Sequence, residues 1–122
     1  MAIIKKSTIE ACKKMLLEKK EQILNSITNN KTEFDTLERG GDEADNSVSS
    51  IAEHQFLTNQ NRLHSQLVEI EYALARIEQG VFGICEETEE PIEDSRLLAI
   101  PWTRLSLEGA EIRDDMKKRY SR

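Results

Sequence analysis

The 122-residue chain has little of what usually holds a small fold together. Aromatic residues make up only 5% of it, so a core must be built from aliphatic side chains. Its two cysteines, Cys12 and Cys85, allow at most one disulfide, too few for the stapled scaffold of a small secreted domain. Ala2-Ile3-Ile4 is too short for the apolar region of a secretion signal, and a reduced, cytoplasmic chain is the expectation. No apolar run approaches the ~20 residues that span a bilayer, so no membrane role is expected. A basic surplus is missing as well: the net charge is −6. Autonomous duplex binding needs a concentrated basic face to release counterions. Its absence argues against sequence-specific DNA binding and for a protein partner with a basic surface. No catalytic triad, P-loop, dinucleotide fingerprint or metalloprotease motif occurs, so no enzyme is expected.

What is present is charge and helical periodicity. Charged residues make up 33% of the chain against 38% apolar, a balance that suits long solvated helices better than a compact globule. A first helix is predicted from Ser7, where Ser7-Thr8-Ile9-Glu10 fits a capping box. Ile9, Cys12, Leu16, Ile23, Ile27, Phe34 and Leu37 then recur mostly at steps of three, four or seven, the seam of a coiled coil. Lys19 or Lys20 and Asn30 interrupt it. Gly40-Gly41 ends the helix, because glycine adopts the left-handed backbone of a C-cap. A second helix is predicted from Asp42, with the stripe Val48, Ala52, Phe56, Leu63, Leu67, Ile70, Leu74 and Ile77, closing at Gln79-Gly80. Two helices of similar length around a Gly-Gly turn make an antiparallel hairpin with arms of about 45–55 Å. An intramolecular seam of this kind favours a monomer.

Gly80, Gly83, Pro91 and Pro101 punctuate a compact knuckle whose framework resembles half of a zinc ribbon, with Cys85 as its only cysteine. The run Glu86, Glu87, Glu89, Glu90, Glu93, Asp94 contains no base. Residues from about Ser106 to Tyr120 read as a terminal helix, acids early and Lys117, Lys118 and Arg119 late, in keeping with the helix dipole. The expected fold is therefore mainly α: residues 1–79 a long coiled-coil hairpin with an acidic tip at 40–47, and residues 80–122 a degenerate zinc-ribbon-like knuckle with a C-terminal helix.

Gly80, Phe82, Gly83, Cys85, Ile92, Arg96, Leu97, Ala99 and Pro101 fit, without a gap, the frame G-x-F/Y-G-x-C-x-x-C, Ile, R-L-x-A-x-P. Asp42-Glu43-Ala44-Asp45-Asn46-Ser47, at the hairpin turn, is similar to the tip motif D-x-x-D-x-A, with Ser47 in place of the alanine. On these residues the chain resembles the DksA/TraR regulators of bacterial RNA polymerase. The resemblance implies a hairpin inserted into the secondary channel of the polymerase, with Asp42 and Asp45 acting near its active site on promoter-complex stability. It also implies polymerase contacts at Asn59 and Arg62, with Arg96 a further candidate. Read without the resemblance, Asp42 and Asp45 are ordinary capping acids, and Asn59 and Arg62 belong to a solvated face.

The resemblance places the family's four zinc ligands at Cys85, Thr88, Ser106 and Gly109. One thiolate and two hydroxyls do not hold zinc tightly, so no metal or other cofactor is expected. The knuckle would instead be held by Ile84, Ile92, Leu97, Leu98, Ile100, Trp102, Leu105 and Leu107. His54 and His64 read as surface residues. Cys85 reads as an inert relic or small core residue, because Glu86 and Glu87 beside it oppose the lowered pKa of a reactive thiol. Family members that respond to the alarmone ppGpp carry bases at positions that fall here at Glu69, Ile100 and Ala110. None of these pairs with a phosphate, so ppGpp dependence should be weak or absent unless Arg96 or Arg104 compensates. Two other classes stay open: a Gre-like transcript-cleavage factor, whose tip acids would complete a metal site, and a coiled-coil adaptor for another partner.

Overall fold

A computed structural model describes residues 4–39 and 46–120. Among them are four helices: α1 (Lys6–Arg39), α2 (Asn46–Gln79), α3 (Asp94–Ala99) and α4 (Leu107–Tyr120). The described residues contain no strand, only an isolated antiparallel bridge between Ile84 and Pro91. The fold is mainly α, as the periodicity implies. None of these helices is long and apolar enough to cross a membrane.

The residues form two compact units, Lys19–Val68 and Met1–Glu18 with Glu69–Arg122. In the first, the pairing is antiparallel: Phe34 stacks on Phe56 with ring centroids 4.3 Å apart, and Gln60 Nε2 donates to the Ile27 carbonyl at 3.2 Å. Numbers rise along α1 as they fall along α2. Ile23 and Leu63 are buried in the same seam. Leu37, expected in the seam, is 72% exposed, and Ala52 is exposed as well. On α1, Thr28, Thr32 and Thr36 return their hydroxyl donors to carbonyls four residues back, which satisfies them without leaving the helix.

The second unit holds most of the buried core. Cys12, Leu16 and Ile70 are sealed from solvent, as the stripes imply, and Ile4, Thr8 and Ala73 join them. The C-terminus of α2 explains how the chain turns into the knuckle. Gly80 has φ +77°, its N–H donates to the Ile77 carbonyl at 3.2 Å, and the Val81 N–H donates to the Arg76 carbonyl at 3.0 Å. This is a Schellman closure, which a residue with a Cβ adopts only under strain. Gly83 (φ +87°) is constrained by space too: a Cβ there would lie 2.5 Å from Ile4 Cγ1.

The packing of the knuckle differs from the expectation in part. Phe82, Cys85, Ile92 and Leu97 are buried, and Ile100, Trp102 and Leu105 are half-buried. Ile84, Leu98 and Leu107 are exposed, Leu107 by 58%. For Leu98 the reason is α3, a single helical turn and a half that sequence periodicity is too short to reveal. It sends Leu97 inward against the Gly83 position and leaves its neighbour Leu98 on the outside. The predicted start of the second helix, Asp42, lies outside the described residues.

Candidate functional site

The knuckle is built on a reversing turn. Ile92 N–H donates to the Gly83 carbonyl at 2.7 Å, Cys85 N–H to the Glu90 carbonyl at 2.8 Å, and Glu89 N–H to the Cys85 carbonyl at 2.9 Å. Glu89 takes the left-handed conformation that closes it, φ 61°. The turn aims the Cys85 side chain inward, where 1% of the residue is exposed. Thr88 N–H donates to Cys85 Sγ at 3.5 Å, and so does the Ser106 hydroxyl at the same distance. Ser106 also caps α4: its Oγ accepts from Gly109 N–H at 3.0 Å. A Cβ on Gly109 would lie 2.5 Å from Cys85 Sγ. The structure therefore brings Cys85, Thr88, Ser106 and Gly109 to one point, although 21 residues separate Cys85 from Ser106.

Each hydroxyl at this point has a structural task. Ser106 Oγ is both an N-cap acceptor and a donor to sulfur, and Thr88 Oγ1 accepts from Glu90 N–H at 3.3 Å. Burial pushes the Cys85 thiol up, but the hydrogen bonds from Ser106 and Thr88 outweigh it and bring its pKa down from 9.0 to about 6. The expectation that Glu86 and Glu87 would keep it high is corrected here: the hydrogen bonds to sulfur set the direction, and both carboxylates are turned to arginines instead. Cys12 behaves in the opposite way: burial, with a contribution from Asp94, raises its pKa. A thiol depressed in the fold stabilises it as a thiolate. That contribution is fully present above 9.0 and is lost as pH falls through about 6. The melting temperature of the wild type is thus expected to rise between these values relative to Cys85→Ser, whose side chain does not ionise there. Thermal melts across that range, with ultraviolet thiolate absorbance, check this; parallel pH profiles for the two proteins would refute it.

Some of the other residues singled out by the sequence lie around the knuckle. Arg104 grips Glu69 with two bonds, Nε to Oε2 at 2.9 Å and Nη2 to Oε1 at 3.0 Å, and its guanidinium sits 4.9 Å from the Tyr72 ring centre. Ile100 is half-buried at the end of α3, and Ala110 is half-buried in the first turn of α4. Arg96 Nε donates to the Leu105 carbonyl at 2.8 Å, which ties α3 to the segment before α4. On α2, in the other unit, Arg62 Nη2 donates to Asn59 Oδ1 at 2.7 Å on the outer face, where His54 is also exposed; His64 is exposed too. Asp42, Asp45 and the Ser47 side chain lie outside the described residues. Sequence reasoning did not find the Arg104–Glu69 pair or the role of Arg113, which bonds Glu86 and Glu87.

These features define a class: a helical hairpin whose ends carry a small cysteine knuckle and a terminal helix. Comparison with known proteins agrees. Residues 80–114 match the family described as "Prokaryotic dksA/traR C4-type zinc finger". The RNA polymerase-binding transcription factor DksA of Caulobacter vibrioides is 34% identical over 115 residues, 93% of this chain and 80% of that protein. An uncharacterized protein of Aquifex aeolicus is 36% identical over 113 residues, 87% of this chain and 76% of its own. The structure of transcription factor DksA2 from Pseudomonas aeruginosa superposes with a TM-score of 0.83 at 30% identity, over 94% of this chain and 88% of that one. The chain belongs to the DksA/TraR family.

The four-cysteine zinc that the family description implies does not fit the residues present here. A closed structural zinc site takes four thiolate, imidazole or carboxylate ligands. The four positions supply one thiol, two hydroxyls already bonded to backbone, and a glycine whose side-chain space is filled by Cys85 Sγ. Among the described residues no group of three or more His, Cys, Asp or Glu could hold a metal ion.

Proposed function

We propose that this protein regulates transcription by binding bacterial RNA polymerase through the secondary channel and altering the stability of promoter complexes, without itself catalysing a reaction. The observation that carries this reading is the alignment of 93% of the chain with a protein named as an RNA polymerase-binding transcription factor. The hairpin is the element that enters the channel. Asp42 and Asp45, with Ser47, act at its tip, and Asn59, Arg62 and Arg96 contact the polymerase. The pairing of Arg62 with Asn59 holds both polar groups outward on α2, which supports that role. The protein works as a cytoplasmic monomer and requires no zinc.

It also works with little or no help from ppGpp. Glu69 stands where responsive members carry a base, and it occupies Arg104, the cation otherwise best placed to compensate. Arg96 is likewise held, by a backbone carbonyl. A Gre-like cleavage factor draws no support from the knuckle, since the described residues after α2 form turns and helices rather than a β-rich domain.

The test is binding of chelator-treated protein to bacterial RNA polymerase with a Gre factor as competitor, followed by promoter-complex lifetimes with and without ppGpp. Expected are binding that the competitor displaces, lifetimes changed equally in both conditions, and loss of the effect but not of binding in Asp42→Ala and Asp45→Ala. No binding by folded protein would overturn the reading. Cleavage of RNA in a stalled complex would replace it with the Gre-like one, and strong synergy with ppGpp would remove the independence.

A further inference from the structure

Zinc in a four-ligand knuckle does one mechanical thing: it ties the turn carrying the first two ligands to the start of the helix carrying the last two. Here the thiol and the hydroxyls join those pieces through a single hydrogen bond, from the Ser106 hydroxyl to Cys85 Sγ at 3.5 Å; the Thr88 N–H bond to the same sulfur stays within the turn. A second connection runs over the surface beside them. Glu69 on α2 is held by Arg104. Arg104 Nη1 reaches Glu86 Oε1 at 3.3 Å. Glu86 Oε2 accepts from Arg113 Nη2 on α4 at 3.2 Å, and Arg113 Nε donates to Glu87 Oε2 at 2.9 Å. The backbone runs in parallel, with Glu86 N–H donating to the Arg104 carbonyl at 2.9 Å.

We infer that the alternating chain Glu69–Arg104–Glu86–Arg113–Glu87 is this protein's replacement for the metal cross-link. It joins the same two pieces, the 85–88 turn and α4, and adds a third anchor on α2. The signs alternate without a break, each arginine serves two carboxylates, and Glu86 is shared between both arginines. Isolated exposed pairs contribute little, but a network with a bidentate arginine is the geometry in which such pairs count. The side chains are 25–40% exposed, so salt reaches them. A metal-held knuckle is opened by chelators; this one is loosened by ionic strength. The order of the knuckle, and whatever it presents to a partner, becomes sensitive to salt. This inference does not depend on who the partner is.

Trp102, the only tryptophan, lies half-buried in the same unit, and its carbonyl accepts from Arg76 at 3.5 Å, so its fluorescence reports on the knuckle. The experiment is thermal unfolding of the full chain followed at Trp102, at low and high sodium chloride, for wild type, Glu86→Gln, Arg113→Gln and the double variant. Each single change is expected to lower the transition by about 2–5 °C at low salt. The double variant should lose less than the sum of the two singles, because both remove the Glu86–Arg113 pair, and the gap to wild type should close at high salt. Chelator should move none of the four. Arg104→Lys, which keeps the charge but loses the two-pronged grip, should fall between wild type and Glu86→Gln. Additive single effects, a gap unchanged by salt, or a chelator-sensitive wild type would each overturn the inference.

Discussion

The triple variant Thr88→Cys, Ser106→Cys, Gly109→Cys is expected to bind one zinc ion and to become dependent on it. Zinc–thiolate bonds of about 2.3 Å put neighbouring sulfurs of a tetrahedron about 3.8 Å apart. Ser106 Oγ and Thr88 N already lie 3.5 Å from Cys85 Sγ, and the missing Cβ of Gly109 points at the same sulfur. The other three positions thus gather around one sulfur, the juxtaposition from which a four-thiolate cage would be built. Without metal the variant should be less stable than wild type, for two reasons. The Ser106 cap of α4 is worth ~1 kcal/mol, and a Cβ at 109 forces Cys85 aside. With zinc the order reverses, since ligation in small fingers supplies on the order of 10 kcal/mol. Metal stoichiometry and melts with and without chelator test this. A folded triple variant that takes up no zinc would show that the knuckle geometry has drifted away from a ligand cage.

Leu97→Ala should be the most damaging single truncation in the knuckle, while Leu98→Ala next to it should be nearly silent. Leu97 is fully buried, and its Cδ1 would lie 3.4 Å from a Cβ at Gly83, beside Ile4. Removing it takes away transfer free energy and leaves a cavity, typically ~2–5 kcal/mol. Domains of this size have only ~5–15 kcal/mol in total. Leu98 is 43% exposed, and truncation there should cost well under ~1 kcal/mol. Denaturant unfolding of the two variants at neutral pH gives the comparison. Equal losses would mean that α3 is not seated as described.

The hairpin was legible because its signals are local. Cys12, Leu16, Ile23, Leu63 and Ile70 sit on periodic stripes and are all buried, and Gly80 closes α2 as a glycine after such a stripe should. The family frame alone pointed to Cys85, Thr88, Ser106 and Gly109, and the structure brings these four residues together. Periodicity failed at its edges. Leu37 reads as seam but stands in solvent, and Ile4 reads as an apolar fragment but packs onto Gly83. Neither outcome is visible from spacing, because each depends on whether a partner surface reaches that turn.

The tertiary structure alone decided what surrounds Cys85 and what holds the knuckle. From neighbours in sequence, Glu86 and Glu87 should have kept the thiol protonated. In space they face Arg104 and Arg113, and the sulfur meets Ser106 and the Thr88 N–H instead. The pairing of Glu69 with Arg104 spans 35 residues, and nothing local in the sequence links the two. Helices and their stripes follow from hydrogen bonds between residues four apart, so the sequence by itself determined them. Electrostatic neighbourhoods follow from which distant segments meet, and only the folding of the turn, α3 and α4 onto the ends of α1 and α2 settles that.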